Sequence, residues 1–289
     1  MNSIILIDDN NEFIKDFTNE AYAKGITVSS KNSLEGLKQL LPSLSHKFAA
    51  VVLDIKCLLK DDQAKESASF ITAALKYLDS TVSGFPRFIL TGDESEFNTL
   101  KKYYTDEKMF IKKPDDQENL FNELLYCVQN AEILKIKREY HTVFEIFQLG
   151  KLNDISERQL LKILKDGFKE KDFNNFKGVL AEIRSFQETI YKSINYRNKA
   201  VVPDNMFRSN GMIKFNDLMK HLSGGVVPPV SPIGAVYQMP AVYYLANTIY
   251  WVSGEYIHED PSRSYFVSEY TIKALINNLL ELIIWSKQY

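Results

Sequence analysis

The sequence predicts two architectures in one chain: a doubly wound α/β domain on a five-stranded parallel sheet, then an all-α helical bundle. Three observations predict it. Ala49-Ala50-Val51-Val52-Leu53-Asp54 is an unbroken small and apolar run closing on a carboxylate, the pattern of a strand buried on both faces of a parallel sheet. Up to about residue 130, further short apolar runs alternate with helix-periodic segments, which argues for right-handed βαβ crossovers. Beyond that point, apolar residues recur at three- and four-residue steps. The domains predicted are 1–130, a connecting helix over 131–150, and a helical domain over 151–289.

The elements follow in order. Ile4-Ile5-Leu6-Ile7 is a strand closing on Asp8-Asp9. Residues 11–24 place Phe13, Ile14, Phe17, Ala21 and Tyr22 close to helical spacing, and Gly25 is a natural stop. Ile26-Thr27-Val28 is a short strand, and Ser33 caps a helix through Leu34, Leu37, Leu40 and Leu41. After the 49–54 strand come a polar loop over 56–66, a helix near 67–80 and the strand Phe88-Ile89-Leu90-Thr91. A helix near 94–104 and the strand Lys108-Met109-Phe110-Ile111 follow. Lys112-Lys113-Pro114 then turns into a helix beginning near Asp116.

Open α/β sheets place their ligand crevice at the carboxyl ends of the strands. Asp54 falls there, and an unpaired carboxylate in such a place is costly. Its company is chemically coherent: Asp8 and Asp9 end the first strand, Thr91 the fourth, and Lys113 follows the fifth. Three carboxylates in one crevice repel each other unless a hard cation joins them, and Mg²⁺ suits an all-oxygen site.

The ordered set Asp8-Asp9, Asp54, Thr91 and Lys113-Pro114 resembles the flavodoxin-like receiver domain of two-component response regulators, over about the first 130 residues. The resemblance implies that Asp54 is the phospho-acceptor, taking a phosphoryl group from a sensor histidine kinase or phosphotransfer protein. It implies Mg²⁺ held by Asp9 and Asp54 directly, by Asp8 through water, and by the backbone carbonyl of Lys56. It also implies that Lys113 and Thr91 contact the phosphoryl oxygens, and that Phe110, three positions before Lys113, couples to Thr91 as a switch. Lys112 is then solvent-facing. On this resemblance the chain is a signalling protein rather than an enzyme, its chemistry confined to phosphoryl transfer and loss at Asp54. Two departures stand out. The stretch after Asp54 lacks the family's Met-Pro, and thirty-seven positions separate Asp54 from Thr91, so the intervening loop is enlarged, with Lys56 within reach of the phosphate. A receiver-like scaffold that is never phosphorylated is the rival reading of the same residues.

The second half is less legible. From Asp116 to Phe147 the helical period runs without Gly or Pro, as one long helix or as two that break near 130; if continuous, it could pair with a second copy. Ser156-Glu157-Arg158-Gln159 reads as a capping box. Helices are expected over 174–195, 213–222, 241–257 and 265–287, with a Pro/Gly-rich loop over 223–240 that includes Pro229 and Pro232. The aromatics of the last two helices, among them Tyr243, Tyr244, Tyr250, Trp251, Tyr265, Phe266, Tyr270 and Trp285, are expected in the core.

The bundle is also similar to the HEPN class of helical RNA-binding and ribonuclease domains, without the Arg-to-His spacing its catalysts use. Glu255, His258 and Glu259 read as a surface histidine at a helix end. Residues 132–220 carry 17 Lys and Arg against 12 Asp and Glu, too small an excess to indicate a nucleic-acid binder. Sequence-specific DNA binding finds no helix-turn-helix to support it. The output expected is protein interaction or homodimerisation through the connecting helix or bundle; the alternative is an RNA-binding or RNA-cleaving effector touching RNA through Arg197, Lys199 and Arg208. Cys57 and Cys127 are isolated thiols, and Met1-Asn2-Ser3 passes directly into a short apolar run closed by aspartates. Together with the absence of a long apolar stretch, these features predict a cytoplasmic protein with no membrane segment.

Overall fold

The structure, a computed structural model, describes residues 3–169, 176–228, 235–257 and 267–289. The chain divides into two compact units, Met1–Arg138 and Glu139–Tyr289.

In the first unit five parallel strands form one sheet: β1 (Ser3–Ile7), β2 (Thr27–Lys31), β3 (Phe48–Leu53), β4 (Arg87–Thr91) and β5 (Lys108–Ile111), in the order β2-β1-β3-β4-β5. This is the flavodoxin-like arrangement. β3 is central because every one of its residues is apolar and buried. β2, with Thr27, Ser29, Ser30 and Lys31, tolerates the half-solvated edge.

Alternation along the strands supplies two cores. Ile5, Ile7, Val51, Leu53 and Ile89 face α2 (Leu34–Leu40) and α3 (Phe70–Thr81), through Leu34, Leu37, Phe70, Ala74 and Leu78. Ile4, Leu6, Ala50, Val52, Phe88, Leu90 and Phe110 face α1 (Asn11–Ala23) and α5 (Pro114–Gln129), through Phe17, Ala21, Leu120, Phe121 and Leu124. Short polar side chains start three of this unit's helices. Asn10 accepts from the amides of Glu12 and Phe13, Ser33 from that of Gly36, and Asp93 from those of Ser95 and Glu96 at the head of α4 (Glu94–Leu100). Gly25, at φ 79°, closes α1.

The helical period after Asp116 is interrupted twice. α5 ends at Asn130, α6 spans Ala131–Glu139, and α7 spans His141–Gln148. The single connecting helix over 131–150 therefore does not form. Ala131 and Leu134 pack into the core of the first unit, whereas Val143, Phe144 and Ile146 are buried in α7 of the second.

The second unit is built on α9 (Phe176–Arg197), against which α8 (Asp154–Lys169), α11 (Pro240–Ile257) and α12 (Glu269–Ser286) pack, with α10 (Phe215–Leu222) nearby. α9 buries Leu180, Ile183, Phe186, Ile190, Tyr191 and Ile194, the side identified from sequence. Asn153, one position before α8, caps that helix in place of Ser156: its Oδ1 accepts from the Ser156 amide at 3.0 Å. Arg197 ties the end of α9 to the carbonyls of Lys151 and Tyr289. Tyr191 and Trp285 meet edge to face in the core as expected, but Tyr244, Trp251 and Tyr270 stand in solvent. Residues 174 and 175, Pro229, Pro232, His258, Glu259, Tyr265 and Phe266 lie outside the described residues.

Candidate functional site

The site is at the carboxyl end of the sheet, and the backbone ladder positions it. The amide of Asp54 donates to the Ile7 carbonyl at 2.9 Å, that of Asp8 to Lys31 at 3.1 Å, and that of Lys112 to Thr91 at 2.7 Å. These bonds carry β1, β3 and β5 one residue past their ends, so Asp8, Asp54 and Lys112 emerge side by side. Lys112 Nζ donates to Asp8 Oδ2 at 2.7 Å and to Asp54 Oδ2 at 2.8 Å. The remaining oxygens are also held: Asp8 Oδ1 accepts from the Asn10 amide and Asp54 Oδ1 from the Ile55 amide, at 3.0 and 2.7 Å. The ammonium lies 4.2 Å from the centre of the Phe13 ring, which closes it on one side.

The lysine in the site differs from the one expected. Lys112 is 17% exposed and bonded to both carboxylates, whereas Lys113 is 55% exposed and pairs with Glu94 on the surface. The reason is the turn after β5. The Lys113 amide donates to the carbonyl of Ile111 at 2.7 Å, directing the next side chain outward before Pro114 opens α5.

The same one-residue offset puts Phe110 and Thr91 on opposite faces of the sheet. Phe110 packs against Phe88 on the α1–α5 side of the sheet, with ring centres 6.1 Å apart. Thr91 has the parity of Ile89, on the opposite face, and there the residue from β5 is Met109, paired with Ile89 and packed into the α2–α3 core. Met109 stands three positions before Lys112, as Phe110 does before Lys113. Thr91 is buried, and its hydroxyl accepts from the Asp93 amide at 3.1 Å.

Lys56, two residues past Asp54, pairs through its ammonium with Glu96 of α4. The enlarged loop beyond it is pinned to the head of α2: the amides of Leu34 and Glu35 donate to the carbonyls of Leu58 and Leu59, and Ser33 bonds to Asp61. The Cys57 thiol donates to the Asn32 carbonyl at 3.1 Å, and burial pushes its ionisation up. It is a structural thiol.

Asp8, Asp9 and Asp54 can each offer a carboxylate oxygen within 4.8 Å of the others. Burial, and then the nearby charge of Asp8, push the Asp54 carboxyl up to about 7, although Lys112 pulls it back. Burial also raises Asp9, with Asp8 adding to the shift. Burial opposes the charge on Lys112, but Asp54 and Asp8 more than compensate, and its ionisation is raised. One ammonium therefore faces three carboxylates. An all-oxygen set with surplus negative charge fits a hard divalent cation, which Asp8, Asp9 and Asp54 would hold.

Fold and site together define a flavodoxin-like α/β unit with an acidic crevice, an architecture compatible with a receiver domain, joined to a helical unit. No protein-family model matches the chain, and neither does any curated protein sequence. Among the described residues, no helix is long and apolar enough to cross a membrane.

Proposed function

We propose that the first unit is a phospho-accepting receiver and that the helical unit is its output, acting by protein interaction or self-association. The observation that carries the reading is the Asp8–Lys112–Asp54 constellation, one ammonium bridging two carboxylates at the ends of adjacent strands. Asp54 is the nucleophile: a carboxylate oxygen forms the O–P bond as the P–N bond of a kinase phosphohistidine, or the P–O bond of acetyl phosphate, breaks, and histidine or acetate leaves. Lys112 neutralises charge on the transferring group, its ammonium having a third N–H besides the two that hold Asp8 and Asp54. Asp8, Asp9 and Asp54 would hold Mg²⁺, with the Lys56 carbonyl as a further ligand; when bound, that ion supplies charge neutralisation at the phosphoryl oxygens. The chain turns over no diffusible metabolite on this reading.

The switch runs through α4. The Thr91 hydroxyl accepts from the Asp93 amide and can still donate its O–H, and Glu94 and Glu96 of the first turn pair with Lys113 and Lys56. A phosphoryl group on Asp54 accepts the Thr91 O–H and competes with Glu96 for the Lys56 ammonium, biasing that turn toward a second arrangement, with Met109 on the same face to follow it. Support for RNA binding is thinner than the sequence suggested. Arg197 is spent on main-chain carbonyls and Lys199 on Asp204, which leaves Arg208 from the expected set.

Mass spectrometry after acetyl phosphate and Mg²⁺ tests the proposal. One phosphate adduct is expected on the wild type and none on Asp54→Asn; an unmodified wild type, or an adduct retained by the variant, overturns it.

A further inference from the structure

Helix α11 is apolar around most of its circumference, yet it buries only Ala246, Ile249 and Ser253. From Ala235 to Gly254 the sequence has no Asp, Glu, Lys, Arg or His. A helix of that composition is ordinarily covered on every side. Its outward face instead presents Tyr244, 67% exposed, and Trp251, 55% exposed, one seven-residue step apart with the small Thr248 between them. Each ring meets its neighbour edge to face, Tyr243 with Tyr244 at 5.4 Å and Tyr250 with Trp251 at 5.2 Å. Toward the head of the helix this ridge meets a hollow of about 490 Å³ lined by Val236, Met239, Pro240, Tyr243 and Tyr244. Val236 and Met239 are themselves 56% and 65% exposed.

We propose that this face is where two copies of the chain associate. The inference rests on the reading of the helical unit as an association module, and it names the surface and the partner. Shape supports it: about a two-fold axis near Thr248, the indole of each copy meets the hollow of the other, a knob and a hole on one self-complementary surface. Area supports it too. Four half-exposed apolar side chains at roughly 100–150 Å² each leave about 500 Å² in water, toward the upper end of the largest patch a monomer exposes, a size at which such patches are often interaction sites. Doubled, and with the half-buried flanks, that approaches the roughly 1,200 Å² at which specific interfaces begin. Charge selects the occupant. Residues 235–254 bring no ionised group of their own to this face, and the cation beside it, Arg184 of α9, is taken up by the Tyr250 ring and carbonyl. The ridge of one copy therefore meets that of the other without like charges of α11 opposed. The helix itself also lacks the Lys and Arg that bring an apolar helix to an anionic membrane.

Sedimentation velocity of the full chain across a wide dilution series tests this, with and without acetyl phosphate and Mg²⁺. A reversible dimer is expected, and Tyr244→Glu with Trp251→Glu weakens it about tenfold or more while circular dichroism stays unchanged. Trp251→Phe keeps the knob and retains the dimer. Dilution of the wild type red-shifts tryptophan emission through Trp251, because Trp285 is already buried. A monomer in both phosphorylation states, or a dimer indifferent to the two glutamates, overturns the inference. A wild type that dimerises through this face yet takes up no phosphate would sink the receiver reading and leave the interface standing.

Discussion

Replacing Asp54 with Asn should stabilise the first unit at alkaline pH, and the size of the gain follows from the crevice. The Asp54 carboxyl is raised from 3.8 to about 7, first by burial and then by Asp8. A raised carboxyl binds its proton more tightly in the folded state than in the unfolded one. Stability is therefore lost as pH climbs from about 4, and the full cost is present above 7. At about 1.4 kcal/mol per pKa unit the ceiling is about 4 kcal/mol; because the charge is shared with Lys112, about 2 kcal/mol is a fair expectation. For a unit of this size that is roughly 5–8 °C of unfolding temperature. Both tryptophans lie in the second unit, whereas Cys57 and Cys127, the only cysteines, are buried in the first. A thermal ramp with a thiol-reactive dye therefore reports the receiver-like unit alone. At pH 8 with a chelator, Asp54→Asn should unfold several degrees above the wild type, and at pH 4 the two should coincide. A variant no more stable than the wild type at pH 8 would refute the burial argument.

Other outcomes follow from the same geometry. Mg²⁺ should raise the dye-detected transition of the wild type more at pH 8 than at pH 5, because its ligands must be ionised, and little in Asp54→Asn; a shift equal at both pH values would count against the acidic site. Phe110→Ala should cost about 3 kcal/mol by opening the α1–α5 core, yet leave the rate of phosphate uptake within about twofold, as measured by mass spectrometry on the folded fraction. Arg197→Ala should destabilise the helical unit by about 1–2 kcal/mol through its lost bonds to Lys151 and Tyr289, read by calorimetry, without moving the dye-detected transition.

The sheet was legible because its signals are local. An all-apolar β3 ending on Asp54, and Asp8-Asp9 closing β1, need no tertiary context to be recognised; the βαβ alternation predicts a parallel sheet, while its order β2-β1-β3-β4-β5 was expected only through the resemblance carried by those residues. What failed was parity at one strand end. Lys112 and Lys113 are chemically identical, and proximity to Pro114 favoured the second. The decision lies instead in a hydrogen bond from the Lys113 amide to Ile111 that no composition reveals. Phe110 went wrong with it, since a register counted from the wrong lysine moves every side chain to the other face. Strand alternation held the remedy: Phe110, bulky and aromatic beside Phe88, matches a core position. The break at Asn130 was one of the two readings the sequence offered; that at Tyr140 was invisible because tyrosine does not forbid helix, and packing decides where the segment turns. In the bundle, periodicity identified the buried side of α9. It misplaced Tyr244 and Trp251, because an apolar residue at helical spacing does not say whether its partner lies in the same chain.

The most direct test of the account is a time course of phosphate uptake from acetyl phosphate with Mg²⁺, comparing Lys112→Ala with Lys113→Ala. If the site is built on Asp8, Asp54 and Lys112, the wild type and Lys113→Ala acquire one phosphate at similar rates, and Lys112→Ala is slowed at least about tenfold, the loss of one charge-assisted contact. An inert wild type, or a chain disabled by Lys113→Ala and untouched by Lys112→Ala, would contradict it.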